Sequence, residues 1–141
     1  MAEHNEIGKL GEELAVKYLK NKDFSIIERN FHVKGGEIDI IASKNFNERQ
    51  KYLHVKLQNL AFIEVKTKKI ASFDKINDFA YSPENNLTKT KRQRILKAIK
   101  HYLSFRKISE GEMDIQVMAI IVFLNVNTKQ AKIRFYEEFI L

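Results

Sequence analysis

The chain has 141 residues, no cysteine, 44% hydrophobic residues and a formal net charge of +7. This length fits one domain spanning 1–141 with its own core, and the apolar fraction excludes a disordered tail. Without cysteine there is no disulfide framework, thiolate metal site or cysteine nucleophile, which agrees with a reducing cytoplasm as the compartment.

Asn5 to about Lys20 predicts a helix. Ile7, Leu10, Leu14 and Tyr18 recur at helical spacing and form an apolar stripe. Gly8, Gly11 and Ala15 run beside it. Glycines in a helix interior cost roughly 1 kcal/mol each against alanine, so a close neighbour is expected along this strip. Glu12 falls next to the strip and faces structure, whereas Glu13 points to solvent with Lys9, Lys17 and Lys20. The acidic residues Glu3, Glu6, Glu12 and Glu13 argue against a secretory signal.

Phe24 to His32 predicts a first strand, Gly35-Gly36 a turn, and Glu37 to Ala42 a second strand. Leu60 to Lys66 is a third. The connection from Ser43 to Asn59 is polar and long for a hairpin, and alternation at Leu53, Val55 and Leu57 suggests an added piece of strand. Lys68 to Leu87 is a long loop. A second helix covers about Thr88 to Phe105, with Thr90 and Gln93 as a capping box. Its apolar face is Ile95, Ala98, Ile99, Tyr102 and Leu103. Asp114 to Leu124 is a strand buried on both faces, entered by a crossover connection. Its apolar run, Val117 to Leu124, is far too short to span a bilayer. Asn125 to Gln130 is a turn and Ala131 to Ile140 a last strand. The order αβββαββ describes a mixed sheet flanked by helices, an α/β architecture.

The charge is concentrated. Asn85 to Ser109 holds eight basic residues and no acidic one: Lys89, Lys91, Arg92, Arg94, Lys97, Lys100, Arg106 and Lys107. Outside that segment 17 basic side chains meet 18 acidic ones, so the whole excess lies in one place. A basic stripe fits a polyanion, either nucleic acid or an anionic membrane surface. A charge run alone is more often a solvated helix face. The membrane reading ranks lowest, because an interfacial helix needs a wide apolar face and this one has basic residues on several sides.

Strand alternation places Phe62, Glu64 and Lys66 on one face and Ile63 and Val65 on the other. On the second strand it places Glu37, Asp39 and Ile41 opposite Ile38, Ile40 and Ala42. If these strands pair, Asp39 and Glu64 come side by side, and like charges so placed destabilise a sheet. A divalent cation between them removes that penalty, since Mg²⁺ prefers carboxylate oxygens. Asp39 with Glu64-Val65-Lys66 suits metal-assisted phosphodiester hydrolysis. Lys66 could orient water or stabilise developing charge. The Val65 side chain points to the core, and its backbone carbonyl is a further metal donor. A lone Glu-x-Lys on a strand is usually a solvated face, and a lone Asp39 could be a charge guarding an edge. Their conjunction, preceded by Gly35-Gly36, is the stronger signal. No H-E-x-x-H, P-loop or G-x-G-x-x-G offers an alternative.

Several pieces now match a known pattern. They are Gly8-Lys-Leu-Gly-Glu-Glu-Leu-Ala15, Ile27-Glu-Arg-Asn-Phe31, Gly36-Glu-Ile-Asp-Ile-Ile-Ala42, Phe62-Ile-Glu-Val-Lys-Thr67 and Leu87-Thr-Lys-Thr-Lys-Arg-Gln-Arg-Ile95. In this order they resemble the YraN-like family of predicted endonucleases, within the restriction-endonuclease-like PD-(D/E)xK superfamily. The resemblance implies a four-stranded mixed sheet core, Asp39 and Glu64 as metal ligands, and Lys66 as the catalytic lysine. It also implies that Glu12 matches the helix glutamate that completes the site in related Holliday-junction resolvases. Lys91 matches a recurrent lysine of the family and lies on the apolar side of its helix. It reads equally as a phosphate contact and as a snorkelling lysine. The segment Ser109-Glu-Gly-Glu-Met113 departs from the family's arginine-rich stretch, and the 43–59 connection is longer than its usual turn.

The expectation is a Mg²⁺-dependent endonuclease, with Mn²⁺ able to substitute, acting on DNA, including branched or flapped forms. Lys91, Arg92 and Arg94 are the candidate nucleic-acid contacts. The alternative is a non-catalytic nucleic-acid-binding or scaffolding domain that retains the nuclease fold. Resolvase-like nucleases often act as symmetric dimers, so a homodimer is one expected assembly, although the sequence marks no dimer surface.

Overall fold

The computed structural model describes residues 2–46, 49, 52–53, 56–78, 87–109 and 111–137. The elements are α1 (Ala2–Asn21), β1 (Phe24–Val33), β2 (Gly36–Lys44), β3 (Asn59–Ile70), a 3-10 helix (Phe73–Asp78), α2 (Lys89–Phe105), β4 (Asp114–Asn125) and β5 (Gln130–Tyr136). Apart from the short 3-10 helix, this is the expected order. Among the described residues the strands form one five-stranded sheet in chain order, as the expected element order requires. β1–β2, β2–β3 and β4–β5 pair antiparallel, while β3 and β4 pair parallel. A parallel pair needs a crossover, and α2 supplies it. No described helix is long and apolar enough to cross a membrane.

The helices cover opposite faces of the sheet. Ala15, Val16 and Leu19 of α1 pack with Ile40, Ala42, Ala61, Ile63 and the β4 residues Met118, Ile120 and Val122. Ile95, Ala98, Ile99 and Tyr102 of α2 pack with Ile38, Ile41, Leu60 and Phe62. β4 is buried on both faces, as its unbroken apolar run requires.

Ile7, Leu14 and Tyr18 of the expected α1 stripe pack against the core, but its fourth member does not. Leu10 is 50% exposed, and the helix rests on Gly11, Ala15 and Leu19 instead. A Cβ on Gly11 would collide with the Thr67 side chain, which is the close neighbour the glycines foretold. Gly8 has nothing near it and borders a cavity instead. At the β1–β2 turn Gly35 has φ +79, a left-handed conformation that glycine adopts without strain.

Four other expectations are corrected. The cap of α2 is Thr88, whose Oγ1 accepts from Lys91 N at 3.1 Å, not Thr90. A cap must stand outside the helix with extended backbone, and Thr88 does. β3 runs past Lys66 to Ile70 because β4 pairs with it throughout. Leu53 is not in a strand: its N–H bonds Arg49 O at 3.0 Å in a helical turn, and its side chain is exposed. Val55, residues 79–86 of the expected long loop and residues 138–140 of the expected last strand lie outside the described residues, and β5 ends at Tyr136.

The most consequential difference lies in β1 and β2. Alternation should keep Ile38 with Ile40, yet Ile38 joins the α2 core with Ile41, while Ile40 and Ala42 join the α1 core. The break falls at Asp39. Its opposite number, Asn30, lies between the pairs Arg29↔Ile40 and Phe31↔Ile38 and has φ 53. Asparagine is among the few side chains that enter this left-handed region readily. Both strands therefore change face at one level, and Asp39 sits at that level.

Candidate functional site

The β2–β3 ladder runs through Ala42↔Ala61, Ile41↔Phe62 and Ile40↔Ile63 and then stops. The next pairing along the ladder would set Glu64 against Asp39. Instead, Asp39 Oδ2 accepts from Val65 N at 2.8 Å. A residue's N–H and C=O point to the same edge of a strand, so the Val65 carbonyl also faces this opening.

Glu64, the residue before, stands near enough to Asp39 for each carboxyl to shift the other's titration. Its side chain is only 13% exposed, and its Oε1 lies 2.8 Å from Lys91 Nζ. Lys91 also lies 3.6 Å from Glu37 Oε1. Around Glu37 stand two further basic groups, His32 Nδ1 at 3.6 Å and Arg94 Nη2 at 3.8 Å.

The electrostatics follow from burial. Burial pushes the Asp39 carboxyl above its ordinary range, against the Val65 N–H and the charge of Lys91. Burial and then the charge of Asp39 push Glu64 up to about 7, although Lys91 opposes them. For Lys91 burial acts downward, but the hydrogen bond to Glu64 and the charges of Glu64, Asp39 and Glu37 outweigh it. Its pKa is raised overall, and it stays cationic. Two half-buried carboxyls thus stand together with one ammonium beside them.

A cavity of about 290 Å³ opens on the α1 side, lined by Ile7, Gly8, Glu12, Asp39, Val65 and Thr67. Glu12 therefore shares a wall with Asp39, as its helical placement predicted. Its Oε1 accepts from Arg29 Nε and Nη2, both at 3.2 Å, and from Asn30 Nδ2 at 3.1 Å. Glu13 is not merely solvated: its Oε1 lies 2.8 Å from Arg29 Nη2. Arg29 reaches both acids because β1 brings it up to α1.

The structure thus brings Asp39, Val65, Glu64 and Lys91 together and sets Glu12 on the adjoining cavity wall. Lys66 lies further along β3, exposed, in register with Ile121 of β4, and is not among the residues lining the cavity. Of the basic residues on α2, Arg92 is half-buried and Arg94 exposed. Sequence reasoning missed Arg29, Asn30 and Glu37 as members of this network. The signal was present: Arg29-Asn30 interrupts an apolar strand, as Asp39 does. Their partners, however, come from other elements.

Among the described residues no three histidine, aspartate or glutamate side chains converge as a ready metal cage. The donors at the opening are the two carboxylates and the Val65 carbonyl, all hard oxygens. Mg²⁺ is commonly held by one or two carboxylates and keeps several waters, so this set fits it better than a soft or nitrogen-preferring metal.

A mixed sheet in this order, covered by a helix on each face and carrying a carboxylate pair where two central strands part, is a restriction-endonuclease-like α/β fold. The chain belongs to the uncharacterised protein family UPF0102, whose profile matches residues 11–109, the family to which the YraN resemblance pointed. A UPF0102 protein of Christiangramia forsetii is 35% identical over 138 residues, covering 98% of this chain and 96% of its own. One from Flavobacterium johnsoniae is 35% identical over 127 residues, 90% of this chain and 87% of its own. One from Campylobacter lari is 42% identical over 104 residues, 74% of each chain.

Proposed function

We propose that the chain is a divalent-metal-dependent endonuclease that hydrolyses phosphodiester bonds of DNA, with branched or flapped DNA among its substrates. The observation that carries this reading is the half-buried Asp39–Glu64 pair at the β2–β3 opening. Adjacent half-buried carboxylates cost stability that aliphatic residues would not. A bound cation accounts for their presence.

Asp39, Glu64 and the Val65 carbonyl hold Mg²⁺, and Mn²⁺ can substitute. The cation supplies charge neutralisation at the phosphate and a lowered pKa for water. The Val65 N–H fixes the Asp39 carboxylate at the opening. Lys66, on the strand that carries Glu64, reaches toward the phosphate and stabilises charge as it develops. Glu12 presents a further acid from the α1 wall. Lys91, Arg92 and Arg94 bind backbone phosphates along α2, with Lys91 exchanging its contact with Glu64 for one with substrate. The protein works in the cytoplasm, and a homodimer would present two such sites to the strands of a junction.

One observation favours the other reading. The Glu64–Lys91 contact at 2.8 Å already compensates much of the buried charge without a metal. A scaffold that binds DNA through α2 needs nothing more. A nuclease assay with Mg²⁺ or Mn²⁺, beside Glu64→Ala and Lys66→Ala, separates the two. We expect wild type to cut and each variant to lose roughly 100-fold or more in rate. Equal cutting by all three overturns the assignment. Salt-dependent DNA binding with no cleavage and no heat on Mn²⁺ titration establishes the scaffold.

A further inference from the structure

We infer that Arg29 and Asn30 form a clamp that positions Glu12 toward the cation site, acting on metal binding through Glu12 alone. This rests on the metal-site reading above.

The clamp arises from the face change in β1. Arg29 stands opposite Ile40, whose side chain lies on the α1 side of the sheet, while Phe31 stands opposite Ile38 in the α2 core. Between them Asn30 takes φ 53. The register shift between Ile26 and Glu28 sets Arg29 on the α1 side, and left-handed Asn30 lets a second side chain meet α1 and returns Phe31 to the opposite core. Three donors from the two residues then end on one atom, Glu12 Oε1, at 3.1 to 3.2 Å.

A tether between α1 and β1 would not need this. Arg29 already holds Glu13 at 2.8 Å, and the Glu13 side chain is 62% exposed, where an ion pair involves little desolvation. The Glu12 side chain is 16% exposed and lines the cavity beside Asp39. Three bonds are spent on the costlier acid, and all fall on Oε1. Among the described residues no such bond falls on the second oxygen, Oε2, and the Glu12 side chain lines the cavity. The chemistry that suits a fixed acid there is a hydrogen bond to water on a cation held by Asp39 and Glu64. Arg29 and Asn30 are therefore positioning residues. Partners of this kind typically alter metal affinity by 10- to 100-fold.

A double-mutant cycle on Mn²⁺ affinity, read by electron paramagnetic resonance or calorimetry, tests the clamp. We expect Arg29→Met to weaken Mn²⁺ binding by roughly 10-fold in the wild-type background, and by less than about twofold when Glu12→Gln is already present. Asn30→Gly keeps the left-handed backbone, removes the amide, and should weaken binding in the same direction. Glu13→Gln should leave affinity within about twofold. If Arg29→Met does not fold, Arg29→Lys keeps the charge, loses the fork, and enters the same cycle. An equal loss in both backgrounds assigns Arg29 to the fold and overturns the clamp, as does no loss at all. Wild type that binds Mn²⁺ through Asp39, with binding lost in Asp39→Asn, but shows no coupling, overturns the clamp alone. Wild type that binds no Mn²⁺ overturns the metal-site reading and the clamp with it.

Discussion

At the loop end of the β2–β3 pair, Asn59 Oδ1 accepts from Lys44 N at 2.7 Å, Asn59 Nδ2 donates to Lys44 O at 3.0 Å, and Ser43 Oγ donates to Asn59 O at 2.8 Å. At the other end Asp39 Oδ2 accepts from Val65 N at 2.8 Å. Both ends replace lost ladder bonds with a side chain. The loop end uses a neutral amide that donates and accepts, and no charge is buried. The site end uses a carboxylate, which only accepts, and sets it against a second carboxylate, Glu64. An asparagine at position 39 could take the same bond from Val65 without the charge. Strand closure alone therefore does not explain Asp39, and this contrast separates a structural device from a functional one.

The largest expected effect concerns charge at the site end. Glu64 is raised from 4.5 to about 7 in the folded protein. The folded state thus holds a proton that the unfolded chain has released. The corresponding stability is fully present below about pH 4.5 and is lost as pH rises through about 7, amounting to about 3 kcal/mol. Denaturant unfolding from pH 4 to pH 8, wild type against Glu64→Gln, should show a steeper slope in wild type, the remainder in the variant coming from Asp39. Saturating Mg²⁺ should restore stability at pH 8, by about 2.7 kcal/mol at 100 times its dissociation constant. Parallel pH profiles would mean that the Glu64 carboxyl is not held at unusual cost.

A smaller effect compares the two closures directly. Asn59→Ala removes both bonds to Lys44 and should cost roughly 1 to 2 kcal/mol, leaving Mn²⁺ affinity unchanged. Asp39→Asn should do the reverse, sparing stability and abolishing Mn²⁺ binding. Chemical denaturation and metal titration of the two variants check the crossing pattern. Loss of metal binding in Asn59→Ala would erase the distinction between the ends.

The smallest effect lies at neither end. Tyr102 is fully buried against Phe31 and Phe62, and its hydroxyl has no hydrogen-bond partner among the described residues. Tyr102→Phe should raise stability by about 1 kcal/mol, measured as a shift in the denaturation midpoint. A loss of stability would mean that the hydroxyl is satisfied after all. It would then resemble Asp39, a half-buried polar group with a partner.

Much of this was legible in the sequence because local chemistry determines it. The apolar period of α2, the unbroken run of β4, the Gly35-Gly36 turn and the charges within apolar strands gave the element order and the acidic candidates. Glu12 was placed correctly from one helical wheel. The errors share a cause. Helical periodicity selected the large apolar side chain of Leu10 along with Leu14, whereas α1 leaves Leu10 exposed and makes its closest approach through Gly11 and Ala15. Close approach of a helix to Thr67 rewards small residues that carry little hydrophobic signal. Alternation placed Ile38 with Ile40, but a left-handed Asn30 and its partner level in β2 reset the faces.

The acidic pair itself shows the division. By itself the sequence determined that Asp39 and Glu64 are carboxylates in strands where apolar side chains would be cheaper, because composition and alternation are properties of neighbouring residues. Only the tertiary structure decided that β2 and β3 part at Asp39, that Lys91 meets Glu64 and that Arg29 holds Glu12. These contacts join residues 17 to 27 positions apart, and their geometry depends on a register that no local pattern records.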